Sequence, residues 1–406
     1  MADRTLIDKY AARLLMLSFF LPMQAQVIAL LLPSVWFIFR TFQDKERTSV
    51  SNYKHALGLG ALYVLYLAAI PFTPAAYRHI SQTLCEYKLS YLLLPLLYAA
   101  ISPQKIKAIL GELAWFVYFS VGICIIANGW FVAKYALSPT GFQGVNHVTY
   151  RIFFEELTGI HPTYISMYLV LGIGILLVRG AAISRPVKFV LFYLLLAFLL
   201  PLLAKSPLIA LVLMFIHTAW LRRKTLGQYK WLFIGAVGMM VLSYLFVPFV
   251  SQRVNEMAGI GTSLKENVTD NSIHERKMIL SVDLDMVKRY GLTGCGPGRL
   301  LYLLKQKYFF YSLYYSRDVN AFDPHNEYFY HWISLGLAGI ILFLSALIMH
   351  FLRALKNKDN LYIYMLLILC ITFLTESVLA TQHGLLFYAF FSSLLYFSKQ
   401  KAGKTE

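Results

Sequence analysis

The sequence has few charged residues. Asp, Glu, Lys and Arg together make up 14% of its 406 positions, whereas hydrophobic residues make up 58%. Soluble domains usually carry about 25% charged residues. The shortage argues against an ordinary soluble domain and points to lipid as the solvent of most of the chain.

Cysteine is also scarce, and its four occurrences show no pattern. Cys85, Cys124, Cys295 and Cys370 lack the spacing that metal sites use. A nucleic-acid recognition motif is likewise missing. The net charge of +17 falls mostly in short loops beside apolar stretches, so nucleic acid is not expected as a partner.

What the chain has instead is a series of long apolar stretches. A helix needs about 20 apolar residues to cross a hydrocarbon core roughly 30 Å thick. The stretches predict an all-α polytopic membrane protein with about twelve transmembrane helices. No cleavable signal precedes the first of them, so we expect the chain to stay anchored in the membrane. The predicted spans are residues 11–23, 25–40, 55–71, 86–101, 108–133, 161–178, 187–203, 206–221, 231–250, 326–352, 361–378 and 381–397.

The first two spans have an alternative reading. A single bent helix over residues 15–39 would reduce the count to eleven. The excess length of that stretch and the sequence Leu21-Pro22-Met23-Gln24 in its middle favour two short spans joined by a tight turn.

Basic residues define an orientation, because Lys and Arg concentrate in short cytoplasmic loops. With the N-terminus inside, 22 of the 37 basic residues lie on the cytoplasmic face. The outer face holds 15, of which ten lie in residues 251–325, and long loops are exempt from the rule. Both termini are therefore predicted to be cytoplasmic.

Three regions follow from this topology. Residues 1–250 carry helices 1–9, residues 251–325 form a large, partly helical outer loop between helices 9 and 10, and residues 326–406 carry helices 10–12 and a cytoplasmic tail. The long loop is the only segment with room for a soluble active-site layer.

The first patterned segment of this loop predicts an amphipathic helix over residues 273–290. Ser272 and Glu275 fit a capping box. Apolar residues then recur at helical spacing, and Gly291 is a plausible stop. Arg276 lies in the first turn, where free N–H groups favour anions. The alternative is a solvated arginine on a surface helix.

A glycine-rich segment follows. Gly294, Gly296 and Gly298 let the backbone turn tightly, and their exposed N–H groups predict a nest for phosphate oxygens. Gly-Pro-Gly is also ordinary turn chemistry, so this signal alone is weak.

The strongest local signal stands at the end of the loop. Asp323 is predicted to cap the next helix and Pro324 to be its first residue, which places His325 at the membrane boundary. The positive end of the helix dipole disfavours protonation of an imidazole, and a neutral histidine can serve as a general base. An interfacial histidine in a polar belt is the alternative. Lys205, in the outer turn between spans seven and eight, is a further candidate for binding an anion.

These segments resemble the O-antigen ligase and polymerase superfamily. The superfamily includes lipopolysaccharide O-antigen ligases, Wzy-type polysaccharide polymerases and bacterial protein O-oligosaccharyltransferases. The resemblance is specific from about residue 190 to 345, and elsewhere it rests on span count and topology. It is carried by Arg276 in its helix, by residues 294–298 (Gly-Cys-Gly-Pro-Gly), by residues 325–328 (His-Asn-Glu-Tyr) and by residues 336–339 (Gly-Leu-Ala-Gly).

The resemblance implies glycan transfer on the periplasmic face of the bacterial inner membrane, without metal or cofactor. The donor would be a glycan on undecaprenyl pyrophosphate, and the acceptor a hydroxyl of lipid A-core, of a growing glycan or of a protein. His325 would be the acceptor's base and Arg276 would bind the pyrophosphate. Relatives commonly have arginine where this chain has Lys205, so Lys205 is expected to supply that charge as a point cation.

Secondary roles follow from the same resemblance. Asn326 would orient the acceptor or cap the helix, Arg299 would reinforce the phosphate site with Gly296 and Gly298, and His161 would fix the outer start of span six.

Three functions remain open. An O-antigen ligase is favoured over a polymerase, because a large loop between spans nine and ten that ends in a histidine is the ligase layout. A twelve-helix transporter or flippase is the alternative from another class. Transporters usually place binding groups near the bilayer midplane and often show repeats, whereas here polar residues collect at the outer face.

Overall fold

The computed structural model describes residues 2–46, 48–139, 141–142, 145–180, 183–223, 230–247, 250–251, 255, 272–315 and 323–399. Every regular element in these ranges is helical, which confirms the all-α class. Its α-helices are α1 (Ala2–Leu17), α2 (Met23–Gln43), α3 (Val50–Leu59), α4 (Ala61–Ala69), α5 (Arg78–Lys88), α6 (Ser90–Ala99), α7 (Pro103–Gly111), α8 (Ala114–Ala136), α9 (His147–Thr158), α10 (Pro162–Arg179), α11 (Arg185–Leu202), α12 (Lys205–Leu221), α13 (Lys230–Phe246), α14 (Ser272–Tyr290), α15 (Leu300–Tyr315), α16 (Glu327–Lys356), α17 (Asn360–Phe373) and α18 (Gln382–Tyr396).

Within the described ranges, five helical segments are long and apolar enough to cross a membrane. They are α2, the consecutive pair α7 and α8, α10, α11 and α16. α12, α17 and most of α13 are apolar but shorter. These segments make the chain a helical membrane protein, while the count of twelve spans stays a prediction.

Several predicted spans have different boundaries in the structure. The predicted span 55–71 is divided into α3 and α4 at Gly60, where a Cβ atom would lie 2.4 Å from Leu92 Cδ1. Glycine thus allows close approach of α6 at this point. The first two predicted spans are indeed separate helices, because α1 ends in a 3-10 turn, Ser18–Phe20, just before Pro22.

The apolar side chains also support a membrane environment. Large hydrophobic residues remain exposed along the outer sides of several helices, to an extent that water would disfavour. Such residues include Val35 of α2 (53% exposed), Ile126 of α8 (65%), Ile216 of α12 (60%) and Ile348 of α16 (56%).

Residues of the chain cluster into two compact units. One comprises Met1–Arg40, Gln104–Lys265 and Asn360–Ile371, and the other comprises Thr41–Pro103, Glu266–Asp359 and Thr372–Glu406. We call them the first unit and the second unit.

The first unit is built around α10. Its side chains are buried from Pro162 to Leu177, and α8, α11 and α12 pack around it. A helix that is apolar on all sides belongs in a core. Gly172 of α10 brings the helix close to α11, since a Cβ there would lie 3.2 Å from Leu195 Cδ1.

The second unit is organised by α16 and α18. α18 is buried along almost its whole length and packs against α6, whereas α4 and α14 pack against α16. α16 is kinked at Gly336, whose φ of 70° lies in the left-handed region that favours glycine.

The kink receives the glycine-rich segment that follows α14. Cys295 N–H donates to Ile333 O (2.9 Å), and Gly296 N–H donates to Ser334 O (3.0 Å). Leu337 N–H in turn donates to Leu292 O (3.2 Å). The bonds that the helix loses at the kink are thereby replaced, as buried backbone groups require.

Candidate functional site

The predicted helix of the long loop is present. α14 runs from Ser272 to Tyr290 and ends immediately before Gly291, as predicted. Its buried face includes Ile279, Val282 and Met286. The capping-box side chains lie outside the described side chains, but Arg276 in the first turn is described and half exposed, at 47%.

His325 lies just before α16, not inside its first turn. Its φ of 42° falls in the left-handed region, which is strained for a residue with a side chain. Asp323 Oδ1 accepts a hydrogen bond from His325 N–H (2.9 Å). The side chain of Asn326 is the actual N-cap of α16 and accepts from Phe329 N–H (3.1 Å). The prediction that Asp323 caps the helix is therefore wrong, because the tight turn at His325 moves the cap three residues along.

The two residues predicted to be catalytic meet at a third one, Glu376. His325 Nδ1 lies 3.2 Å from Glu376 Oε2. Arg276 Nη2 lies 3.9 Å from the other oxygen, Oε1, and Arg276 Nη1 donates to Thr375 O (3.5 Å). Residues distant in sequence thus form one partly exposed cluster, which we call the outer cluster: Arg276, Asp323, His325 and Glu376.

Electrostatics in the outer cluster act on the pKa of His325 in both directions. Burial alone would lower the pKa of His325, but the hydrogen bond with Glu376 and the charges of Asp323 and Glu376 together raise that pKa above its ordinary value. Arg276 opposes this rise. The expectation that the helix dipole disfavours protonation of His325 is therefore wrong in its direction, since His325 lies outside the helix and beside two carboxylates.

The pKa values of two aspartates, Asp323 and Asp283, are raised as well. Burial raises the pKa of Asp323, and the neighbouring Glu376 charge adds to the effect. Burial, with the Asp323 charge, raises the pKa of Asp283 in α14 to about 8. Asp283 is only 1% exposed, and its Oδ1 has no hydrogen-bond partner among the described residues.

Asn326 has two contacts in the structure. Besides capping α16, it donates from Nδ2 to Leu374 O (3.2 Å). It therefore ties the start of α16 to the segment that carries Glu376.

The glycines predicted to bind phosphate serve the packing of the second unit. Gly294, with a φ of 80°, donates its N–H to Tyr290 O (2.7 Å), and Gly298 N–H donates to Ser81 Oγ (2.9 Å). The N–H of Gly296 is engaged at the α16 kink. Because these three N–H groups already have protein acceptors, this geometry adds no support to the predicted phosphate nest.

Arg299 follows the same segment at the start of α15. Its guanidinium lies 5.9 Å from the ring centre of Tyr290, and its buried Nε has no hydrogen-bond partner among the described residues.

Lys205 and His161 belong to the first unit, whereas the other candidate residues belong to the second. Lys205 is the first residue of α12. His161 is the N-cap of α10, where its Nδ1 accepts from Thr163 N–H (3.3 Å) and Pro162 follows as the first helical residue. His161 thus starts α10.

Sequence reasoning missed Glu376 and Asp283. Glu376 is the only acidic residue between Asn360 and Lys399 and stands next to the predicted outer end of span eleven, which is a usable signal. Asp283 lies on the apolar face of α14, where periodicity alone marks a polar residue as an exception.

The outer cluster has the parts of an acid–base pair. A carboxylate that accepts from imidazole Nδ1–H leaves Nε2 free to take a proton and stabilises the imidazolium that results. In the part of the chain that the structure describes, no group of three or more His, Cys, Asp or Glu side chains is arranged to hold a metal ion.

Comparison with protein families gives one match. Residues 189–344 match the family described as O-antigen ligase. The matched range contains Lys205, Arg276, Arg299, His325 and Asn326 and nearly coincides with the range over which the sequence resembles the O-antigen ligase and polymerase superfamily. No curated protein matches the chain. Residues 189–344 are therefore similar to the O-antigen ligase family, which agrees with the resemblance seen in the sequence.

Proposed function

We propose that this protein is a metal-independent glycosyltransferase that moves a glycan from undecaprenyl pyrophosphate to a hydroxyl group of lipid A-core. The observation that carries the proposal is the meeting of Arg276 and His325 at Glu376, with His325 Nδ1 3.2 Å from one carboxylate oxygen and Arg276 Nη2 3.9 Å from the other. The proposed base and the proposed cation for the leaving pyrophosphate thus both contact the same carboxylate.

In the proposed reaction, His325 acts as general base. Glu376 accepts from Nδ1–H, and Nε2 takes the proton of the acceptor hydroxyl as its oxygen attacks the anomeric carbon. The bond from that carbon to the pyrophosphate oxygen breaks, and undecaprenyl pyrophosphate leaves with the electron pair. Attack opposite the leaving group inverts the anomeric centre.

Arg276 stabilises the charge that develops on the leaving pyrophosphate. A guanidinium offers paired N–H donors to phosphate oxygens, and it carries its charge throughout the working pH range. Its 47% exposure leaves the group accessible to a ligand. Arg299 reinforces the phosphate site, and Lys205 supplies a further point cation in place of the arginine of relatives.

The remaining candidate residues have supporting roles in the proposal. Asn326 orients the acceptor while it caps α16, and His161 fixes the outer start of α10. Gly296 and Gly298 shape the loop beside the phosphate site.

The proposed setting is the periplasmic face of the bacterial inner membrane. The apolar helices support insertion in a membrane, and the distribution of basic residues supports cytoplasmic termini. With this topology the outer cluster faces the periplasm, where lipid-linked glycan and lipid A-core meet. Residues 251–325 would then form the loop that carries the active-site layer.

The test uses the purified full-length protein with undecaprenyl-pyrophosphate-linked glycan and lipid A-core, without added metal. Glycan transfer is followed as a gel shift of lipid A-core. The wild-type protein should transfer the glycan, and His325→Ala should not. His79→Ala removes an exposed histidine of the second unit and should leave transfer unchanged.

The other outcomes separate the competing functions. Lengthening of the lipid-linked glycan with no transfer to lipid A-core would identify a polymerase that uses the same donor. If folded wild-type protein modifies neither substrate, the enzyme proposal fails and a transporter or flippase becomes the leading hypothesis.

A further inference from the structure

Three consecutive residues at the start of α16 hold one short segment, residues 374–379, which we call the Glu376 connector. Asn326 Nδ2 donates to Leu374 O (3.2 Å), and His325 Nδ1 contacts Glu376 Oε2 (3.2 Å). Glu327 Oε2 accepts from Leu379 N–H (2.7 Å). The connector is therefore fixed at both ends and at its centre by residues 325–327.

The contact between Glu327 and Leu379 is the most deeply buried of the three, and a further hydrogen bond accompanies it. Leu379 also accepts, through its carbonyl oxygen, a hydrogen bond from Lys88 Nζ (2.8 Å). Glu327 is 0% and Lys88 2% exposed. Both backbone polar groups of Leu379 are thus held by side chains that are almost fully removed from solvent.

A closed ring of contacts supports this pair of side chains. Glu327 Oε1 lies 3.0 Å from His331 Nε2, and His331 Nδ1 lies 2.9 Å from Tyr66 Oη. Lys88 Nζ lies 5.1 Å from the ring centre of Tyr66, in a cation–π arrangement. The ring leads from Leu379 through Glu327, His331, Tyr66 and Lys88 back to Leu379.

Burying these two charged side chains costs more free energy than a purely structural contact requires. Removing a carboxylate and an ammonium from water carries a large free-energy cost, comparable to what their best contacts return. An apolar pair of the same volume would pack here at less cost. What the polar pair adds is a fixed position for one peptide segment, and that segment ends three residues after Glu376.

We propose that Glu327 and Lys88 are positioning residues, which fix Leu379 so that the Glu376 carboxylate stays on Nδ1 of His325. Neither residue touches a substrate in this scheme. The inference rests on the proposed function for its catalytic meaning, although the positioning itself is a property of the unliganded protein.

A positioning role and a merely structural role differ in what they do to His325. Among the residues that the structure describes, the charged groups that act on its imidazole are Glu376, Asp323 and Arg276, and the Glu376 contact raises its pKa. When the connector is displaced, this contact weakens and the pKa of His325 falls. A substitution that only lowers stability leaves the pKa of His325 in the folded fraction unchanged.

The experiment measures this pKa without any glycan substrate. Purified full-length protein is treated with diethyl pyrocarbonate over a pH series, and modification of the His325 peptide is quantified by mass spectrometry, because only the neutral imidazole reacts. Glu376→Gln should move the midpoint of modification to lower pH. Glu327→Ala and Lys88→Met should each move it in the same direction, by about half a unit or more.

Controls separate the contacts from general damage. Glu327→Gln keeps an oxygen that can accept from Leu379 N–H. Its pH midpoint of His325 modification should therefore stay close to the wild-type value. Glu86→Gln and Lys305→Met repeat the same chemical changes at exposed positions of the second unit and should leave the midpoint at its wild-type value. In the Glu376→Gln background, Glu327→Ala should add no further shift.

The outcomes are distinct. Folded Glu327→Ala and Lys88→Met proteins that keep the wild-type midpoint, while Glu376→Gln moves it, overturn the positioning role and leave the proposed function standing. A midpoint that even Glu376→Gln does not move overturns the pairing on which the inference depends. Shifted midpoints in a protein that transfers no glycan support the positioning role and count against the proposed function alone.

Discussion

Gly294 and Gly336 each occupy space that the other's side chain would need. A Cβ on Gly294 would lie 2.8 Å from Gly336 N, and a Cβ on Gly336 would lie 2.6 Å from Gly294 N. Both residues have positive φ, 80° and 70° respectively. The contact lets the segment after α14 dock into the kink of α16, so that α14, which carries Arg276, is joined to the helix that follows His325.

Gly336→Ala should destabilise the protein. The added methyl group would clash with backbone atoms and sit at a positive φ, which together cost about 1–3 kcal/mol. We expect the apparent melting temperature in detergent to fall by several degrees. The control is Gly122→Ala in α8, where nothing lies within 4 Å of the added Cβ and alanine favours the helix. An unchanged melting temperature for Gly336→Ala would contradict the close contact.

Glu376→Gln should change the pH dependence of glycan transfer. Glu376 raises the pKa of His325, and a general base works only when it is deprotonated. The acidic limb of the rate profile should therefore move to lower pH, and the maximal rate should fall because the imidazolium loses its stabilising partner. Rates measured from pH 5 to 9 provide the test. A limb that moves to higher pH would show that Glu376 does not stabilise the protonated form.

Arg276→Ala should reduce transfer strongly, by about 100-fold or more, since it removes a cation from the developing charge of the leaving group. Arg276→Lys should restore only part of the rate, because a lysine lacks the paired donors. Lys277→Ala removes a neighbouring exposed charge from the same helix and serves as the control. Equal losses in the Arg276 and Lys277 variants would indicate general attraction of the anionic donor.

Lys205→Met should weaken binding of the donor, and Lys205→Arg should retain it. The first change removes the point cation proposed for the pyrophosphate, whereas the second keeps a cation and adds the paired donors of a guanidinium. The KM for the lipid-linked glycan is the readout. A KM that is the same for Met as for Lys would exclude Lys205 from the donor site.

Asp283→Asn should stabilise the protein at high pH. The unfolded chain releases this proton at its ordinary pKa of 3.8, but the folded protein holds it up to about 8. Over that window the unfolded state binds fewer protons, so stability falls as the pH rises, and asparagine removes this fall. The apparent melting temperatures of the variant and the wild type should diverge between pH 6 and 8.

Asp285→Asn, on the same helix, should have the opposite effect and destabilise the protein at neutral pH. Lys307, which donates a hydrogen bond to Asp285, holds the pKa of that carboxyl below its usual range. Its stabilising effect is present at neutral pH and is lost as the pH falls through the lowered pKa. Asparagine at this exposed position should lower the free energy of unfolding by at most about 1 kcal/mol at pH 7. The measurement is the apparent melting temperature of both variants over a pH series. If Asp283→Asn and Asp285→Asn responded to pH in the same way, the difference in burial between the two aspartates would be contradicted.

The sequence by itself determined the membrane class and the helix over residues 273–290, and it predicted His325 and Arg276 as site residues. Each of these depends on local information. Apolar runs of sufficient length require lipid, helical periodicity requires a helix, and the break before α2 follows from Pro22. The family match over residues 189–344 confirms the resemblance that the motifs suggested.

Only the tertiary structure decided the surroundings of His325. Its charge state depends on Glu376, which is 51 residues away along the chain, and the start of α16 depends on a turn with positive φ that propensity did not indicate. The glycines after α14 are used by the kink at Gly336, a contact that no local pattern contains. Electrostatic effects and close backbone contacts act through space, so they become visible only when distant segments have been brought together.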